Sequence, residues 1–117
     1  MSEARITELL NDRGLVSNTT GAVAIAKQIA PAAPFRLREI RLHLSAVGGA
    51  GDFTATLDAN EGAAYDLLIT KQDMTATADY IYIPDKPLQF ESGDKINFAW
   101  ANAGGKTYGL TIIYDLL

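Results

Sequence analysis

Apolar and polar residues alternate with a period of two through most of the chain, the spacing of strands that bury one face. In Phe35-Arg36-Leu37-Arg38-Glu39-Ile40-Arg41-Leu42-His43-Leu44 the apolar residues fall on odd positions up to Leu37 and on even positions from Ile40. A one-residue slip turns every later side chain over, so this change of parity predicts a β-bulge near Arg38-Glu39. Gly48, Gly49 and Gly51 mark a flexible turn, after which Phe53, Ala55 and Leu57 alternate with Thr54, Thr56 and Asp58. Ala59-Asn60-Glu61-Gly62 supplies turn chemistry, and Tyr65, Leu67 and Ile69 start the next strand. The polar stretch from Gln72 to Asp79 reads as a longer crossing connection with weak structure. Tyr80-Ile81-Tyr82-Ile83 is a short β run stopped by Pro84-Asp85-Lys86-Pro87, and Ile96, Phe98 and Trp100 share one face after the turn Glu91-Ser92-Gly93-Asp94. Asn102-Ala103-Gly104-Gly105 leads into Tyr108, Leu110, Ile112 and Tyr114, so the last two strands are expected to form a hairpin.

Upstream, residues 2–13 place Ile6, Leu9 and Leu10 at helical spacing behind a possible Ser2 cap, with Gly14 as a stop signal. Residues 1–20 are therefore expected to be a short helix or an arm, and residues 21–117 a β-sandwich domain. Val23–Ile29 reads as an edge strand closed by Pro31 and Pro34, which cannot donate to a ladder. Seven or eight short strands at this spacing predict an all-β, antiparallel β-sandwich or jelly roll, with a small barrel as the competing architecture.

Composition narrows the function classes. A length of 117 residues fits one domain, and 48% apolar with 21% charged residues is an ordinary globular balance. A net charge of −4 lacks the clustered cationic excess that phosphate neutralisation needs, so nucleic acid is not an expected partner. With no cysteine there is no disulfide framework or thiolate metal site, and core packing must hold the fold. The N-terminus shows no apolar signal region, and no stretch approaches the roughly 20 apolar residues of a membrane span. A soluble, unexported protein without a membrane partner is expected.

The search for chemistry finds no site. His43, the single histidine, points by parity away from the Ile40/Leu42/Leu44 face, and nothing supplies an oriented nucleophile and oxyanion donors around it. It reads as a surface residue, and the protein as a non-enzyme. Asp58-Ala59-Asn60-Glu61-Gly62 opens like a calcium loop, but Ile69 stands where an EF-hand needs its bidentate Glu. The loop acids read as solvated turn formers, with no metal or cofactor expected. Gly48-Gly49-Ala50-Gly51 lacks the Lys-Ser/Thr of a phosphate loop.

Two features address partners. Arg36, Arg38, Arg41 and His43 share the polar side of one strand once the bulge is counted, while nine acids lie between Asp52 and Asp94. These arginines either pair with acids on neighbouring strands or form a docking patch for an acidic protein surface. Tyr80 and Tyr82, near Pro84, are expected to form an exposed aromatic edge able to stack on a sugar, whereas Trp100, Tyr108 and Tyr114 belong to the core.

Four segments carry a resemblance. Pro34 to Ser45, Asp52-Phe53-Thr54-Ala55-Thr56-Leu57-Asp58, Pro87 to Asn102 with its core Phe90-Glu91-Ser92-Gly93-Asp94-Lys95-Ile96, and Thr107 to Tyr114 resemble small structural proteins of tailed bacteriophage virions. The likeness is to the β-sandwich proteins that decorate or cement capsids. It implies a virion protein assembled in the host cytoplasm that binds the major capsid protein or other virion proteins. It further implies a homo-oligomer, a trimer before other states, with Ile6, Leu9 and Leu10 in an arm that orders on a neighbouring subunit. The alternatives are a carbohydrate- or receptor-binding module and a neck or tail adaptor.

Overall fold

The side chains of Phe35, Leu37, Ile40, Leu42 and Leu44 all reach one core, although strict alternation across ten residues would send the two groups to opposite faces. The ladder with the last strand supplies the reason: its register shifts between Leu37 and Glu39, so the parity switch is a bulge as expected. The structure, a computed structural model, describes residues 15–86 and 88–117. Among these residues are nine strands: β1 Leu15–Gly21, β2 Ile25–Ile29, β3 Phe35–Leu44, β4 Asp52–Asp58, β5 Leu67–Asp73, β6 Asp79–Tyr82, β7 Leu88–Phe90, β8 Lys95–Trp100 and β9 Tyr108–Leu116. One 3-10 turn, Ala63–Tyr65, precedes β5.

The strands form two antiparallel sheets. The first has the order β1-β9-β3-β6, with β7 also paired to β3, and the second has the order β2-β8-β4-β5. The antiparallel partners are nested: β1 with β9, β2 with β8, β3 with β6 and β7, β4 with β5. Rolling this nest lays β9 beside β3 and β8 beside β4. That winding is a jelly roll, the two-sheet solution that hides one apolar face of every strand.

Between the sheets lie Phe53, Phe98, Ile96, Ile112 and Leu110, each at most 1% exposed, together with the β3 residues. Phe35 stacks on Phe90 with ring centroids 5.0 Å apart, and Phe53 on Phe98 at 6.4 Å. Such pairs add about 0.5–1.5 kcal/mol to the burial of each ring.

Three expectations change. The last two strands are not a hairpin, since β8 lies in the second sheet and β9 in the first. A Gly-rich loop between alternating strands suits a corner between stacked sheets as well as a tight turn. Here Asn102 builds the corner: buried, with φ 50, it donates to the Val23 and Lys106 carbonyls at 2.9 Å and accepts from the Lys106 N–H at 2.8 Å. The connection after β5 does cross between sheets, but it is not weakly structured. Met74 is fully buried, its N–H donates to the Gly51 carbonyl at 3.1 Å, and Gly48 N–H donates to the Thr77 carbonyl at 3.0 Å. The glycine loop is therefore packed: a Cβ on Gly48 would fall 2.5 Å from the Met74 carbonyl oxygen. Thirdly, residues 15–20, read with the arm, belong to β1 and pair with β9 from Leu15↔Tyr114 to Thr20↔Gly109. Val23–Ile29 is an edge strand as expected, with β2 beginning at Ile25.

Phe53→Ala should lower unfolding free energy by about 3–5 kcal/mol, because a fully enclosed ring leaves a cavity that its neighbours cannot fill. Tyr65→Ala, at an exposed ring, should stay within about 0.5 kcal/mol. Urea denaturation of the two variants checks the contrast.

Candidate functional site

Consecutive residues of a regular strand face opposite ways, yet Leu67, Leu68 and Ile69 all line one groove. The cause is a second bulge. Ala55 pairs with Thr70 and Thr56 with Leu68, which leaves Ile69 as the extra residue on β5. This apolar run meets Tyr82 of β6 and Leu88 and Phe90 of β7 across a groove of about 660 Å³. The groove runs along one flank of the sandwich, where the β5 edge of the second sheet faces the β6/β7 edge of the first.

Both ends of the flank are fixed by hydrogen bonds. At one end Tyr80 reaches across from β6, its hydroxyl bonded to the Thr70 hydroxyl on β5 and its ring edge-on to Phe53 at 6.1 Å. At the other end Asp94 is buried, one carboxylate oxygen accepting from Asn60 N–H and the other from Glu91 N–H, each at 2.8 Å. Gly93 makes this turn possible: its φ is 93, and a Cβ there would lie 2.7 Å from the Asn60 Oδ1. Asp94 is thus already satisfied, while Glu61 and Glu91 line the groove at this end as exposed carboxylates.

The residues singled out in the sequence are distributed as follows. Arg36 and Arg38 both face Asp115 at 3.5 Å, Arg41 pairs with Glu39, and His43 Nδ1 bonds to Asp79. Three guanidiniums thus meet two carboxylates, Asp115 and Glu39, and the imidazole meets a third, Asp79, on the outer face of the first sheet. Of the two alternatives, the arginines pair with acids rather than standing as a bare basic patch, and such partly exposed pairs stabilise by only about 0–1 kcal/mol each. Tyr80 and Tyr82 are not an exposed aromatic edge: both are half-buried and packed against the core, and the exposed side chains there are Ile81 and Ile83. Ile6, Leu9 and Leu10 lie outside the described residues. Among the described residues no group of three or more His, Asp or Glu side chains could hold a metal ion, and no helix is long and apolar enough to cross a membrane.

Of the groove's lining, the sequence singled out only Tyr82 as a candidate contact, and the groove itself was not foreseen. Leu67–Ile69 is a continuous apolar run, which conceals a bulge that a parity change would reveal.

Elsewhere, the Asp73 carboxyl after β5 is held below the usual aspartate range by the Thr75 hydroxyl at 2.6 Å and then by the Thr75 N–H at 3.0 Å. Its folded value is depressed, so its contribution to stability is present above the ordinary aspartate range and lost as pH falls through the lowered value. In an NMR titration, Thr75→Ala should move the Asp73 midpoint upward toward that of an ordinary aspartate. Asp94→Ala should cost about 1–3 kcal/mol in urea denaturation, because it leaves two backbone donors without their acceptor.

The sequence matches no family model and no curated protein. Among solved structures, it is similar to the Drosophila NLP-core, whose structure addresses pentamer formation and histone binding: 13% identity, 85% of this chain and 96% of that chain covered, TM-score 0.45. It is also similar to the infectious bursal disease virus Gx strain structure, at 15% identity over 87% of this chain and 32% of that one, TM-score 0.36. At these scores neither likeness bears on function.

Proposed function

We propose that this protein is a non-enzymatic structural component of a bacteriophage virion, a decoration or cement protein that stabilises the shell by bridging capsid subunits. The observation that carries this reading is the placement of exposed apolar side chains at two opposite edges of one rigid jelly roll. Along the flank where β5 faces β6/β7 stand Tyr65, Leu67, Leu68, Ile81 and Ile83. At the β1 edge stand Leu15 and Val16, with Leu116 and Leu117 nearby at the end of β9. Scattered apolar residues are normal on a surface, but grouped ones mark contact sites. Two such groups on different edges suit a molecule that touches two neighbours at once, which is what bridging requires.

Other features agree. The jelly roll is a fold used in viral shells, an analogy at the level of architecture. The four segments that resemble virion proteins fall on β3, β4, β7–β8 and β9, of which all but β7 are interior strands. The glycan-binding alternative depended on an exposed tyrosine pair, and Tyr80 and Tyr82 are packed against the core. The partner is then the major capsid protein, and the location is the particle surface after assembly in the host cytoplasm.

Gel densitometry of purified particles should find this chain at a copy number on the scale of the capsid subunit. A number on the scale of a single ring would instead assign it to the neck or tail. Val16→Asp combined with Leu116→Asp, both exposed, should weaken capsid binding at least about tenfold while leaving the denaturation midpoint near that of the parent, since one lost anchor of this type is worth upwards of about 1.4 kcal/mol.

A further inference from the structure

We infer that the flank groove binds an extended segment of a partner protein that carries an apolar residue and, two positions along, a lysine or arginine. The inference rests on the virion reading only in taking this flank as a contact site, and it adds the form and the charge of what is bound. The form follows from the edge. β5 is the terminal strand of the second sheet, with β4 on one side alone, so one row of its backbone groups faces the flank. None of its seven residues is buried, and Leu67 and Leu68 stand 60% and 51% exposed. Lys71, which could guard this edge, is engaged with Asp52 of β4 at 3.3 Å. A strand added here forms main-chain bonds with β5 and sends alternate side chains into the groove, the way sheet edges recognise extended peptides.

The charge follows from the lining. Leu67, Leu68 and Ile69 stand with Tyr82 and Leu88 along the groove, and the exposed carboxylates of Glu61 and Glu91 stand at one end. Among the described residues no lysine, arginine or histidine lines it. Asp94 is already occupied by the Asn60 and Glu91 N–H groups, so the two glutamates are the acids left to meet a cation. A wholly apolar occupant would cover these carboxylates without a partner, which costs free energy, and an acidic occupant would be repelled. A lysine or arginine offsets that cost. Side chains two apart on a strand share a face, so the apolar residue and the cation enter the groove together.

A surface-displayed library of random peptides as long as β5, seven residues, panned against the immobilised full chain tests the inference. Selected peptides should be enriched in an apolar residue followed two positions later by Lys or Arg. Titrated into the isotope-labelled chain, they should shift the amides of Leu67–Ile69 and Gln89. Their affinity should fall at least about tenfold with Leu68→Asp, and as far with Glu61→Lys plus Glu91→Lys, while both variants keep the parent's denaturation midpoint. Replacing the cation of a selected peptide with Glu should restore its binding to the double lysine variant. No enrichment, enrichment without a cation, or shifts confined to other amides would overturn the inference. Failed selection together with self-association that Leu68→Asp abolishes would also overturn it and assign the groove to a second copy. Failed selection from a chain present in particles at capsid-scale copy number would overturn this inference alone, whereas successful selection with a chain absent from particles would overturn only the virion reading.

Discussion

The fold depends on β3 keeping a single buried face along ten residues. It has β9 on one side, and on the other β7 along Phe35–Leu37 and then β6 along Ile40–His43. Without the bulge between Leu37 and Glu39, either Phe35 and Leu37 or Ile40, Leu42 and Leu44 would turn outward. Each such residue stabilises by about 1.5–3 kcal/mol when buried, so loss of either set removes a large share of a domain's net stability. The same bulge leaves Arg36, Arg38 and Arg41 on the outer side, where Asp115 and Glu39 meet them.

That arrangement explains what could be read in advance. The β3 bulge was legible because apolar parity changes within one strand. The face shared by Ile96, Phe98 and Trp100 was legible because only one side of β8 is packed. The second bulge was not, because Leu67, Leu68 and Ile69 are all apolar and parity carries no information there. The placement of β8 and β9 in different sheets was hidden for another reason. Alternation specifies which face is buried and says nothing about which strand lies alongside, a choice made by non-local partners such as β2 for β8 and β1 for β9. Met74, a single apolar residue in a polar stretch, anchors a connection that composition alone presents as loose.

The groove follows from topology. Rolling the nested pairs into two sheets leaves β5 and β6/β7 as facing edges, joined by the Thr70–Tyr80 bond at one end and the Asp94 turn at the other. Edge strands are aggregation hazards unless covered or charged. This flank carries apolar residues and the β1 corner does as well, whereas the outer face between them has its charges paired. The proposed function is built on that division: apolar contacts at two edges and a charge-paired face between them.

Hydrogen exchange of the protein free and bound to its particle tests this account most directly. The account predicts that amides of Leu67–Asp73 and Leu15–Gly21 gain protection on incorporation while the outer face around Arg41 and His43 exchanges as before. Protection confined to that outer face, with both edges unchanged, would contradict it.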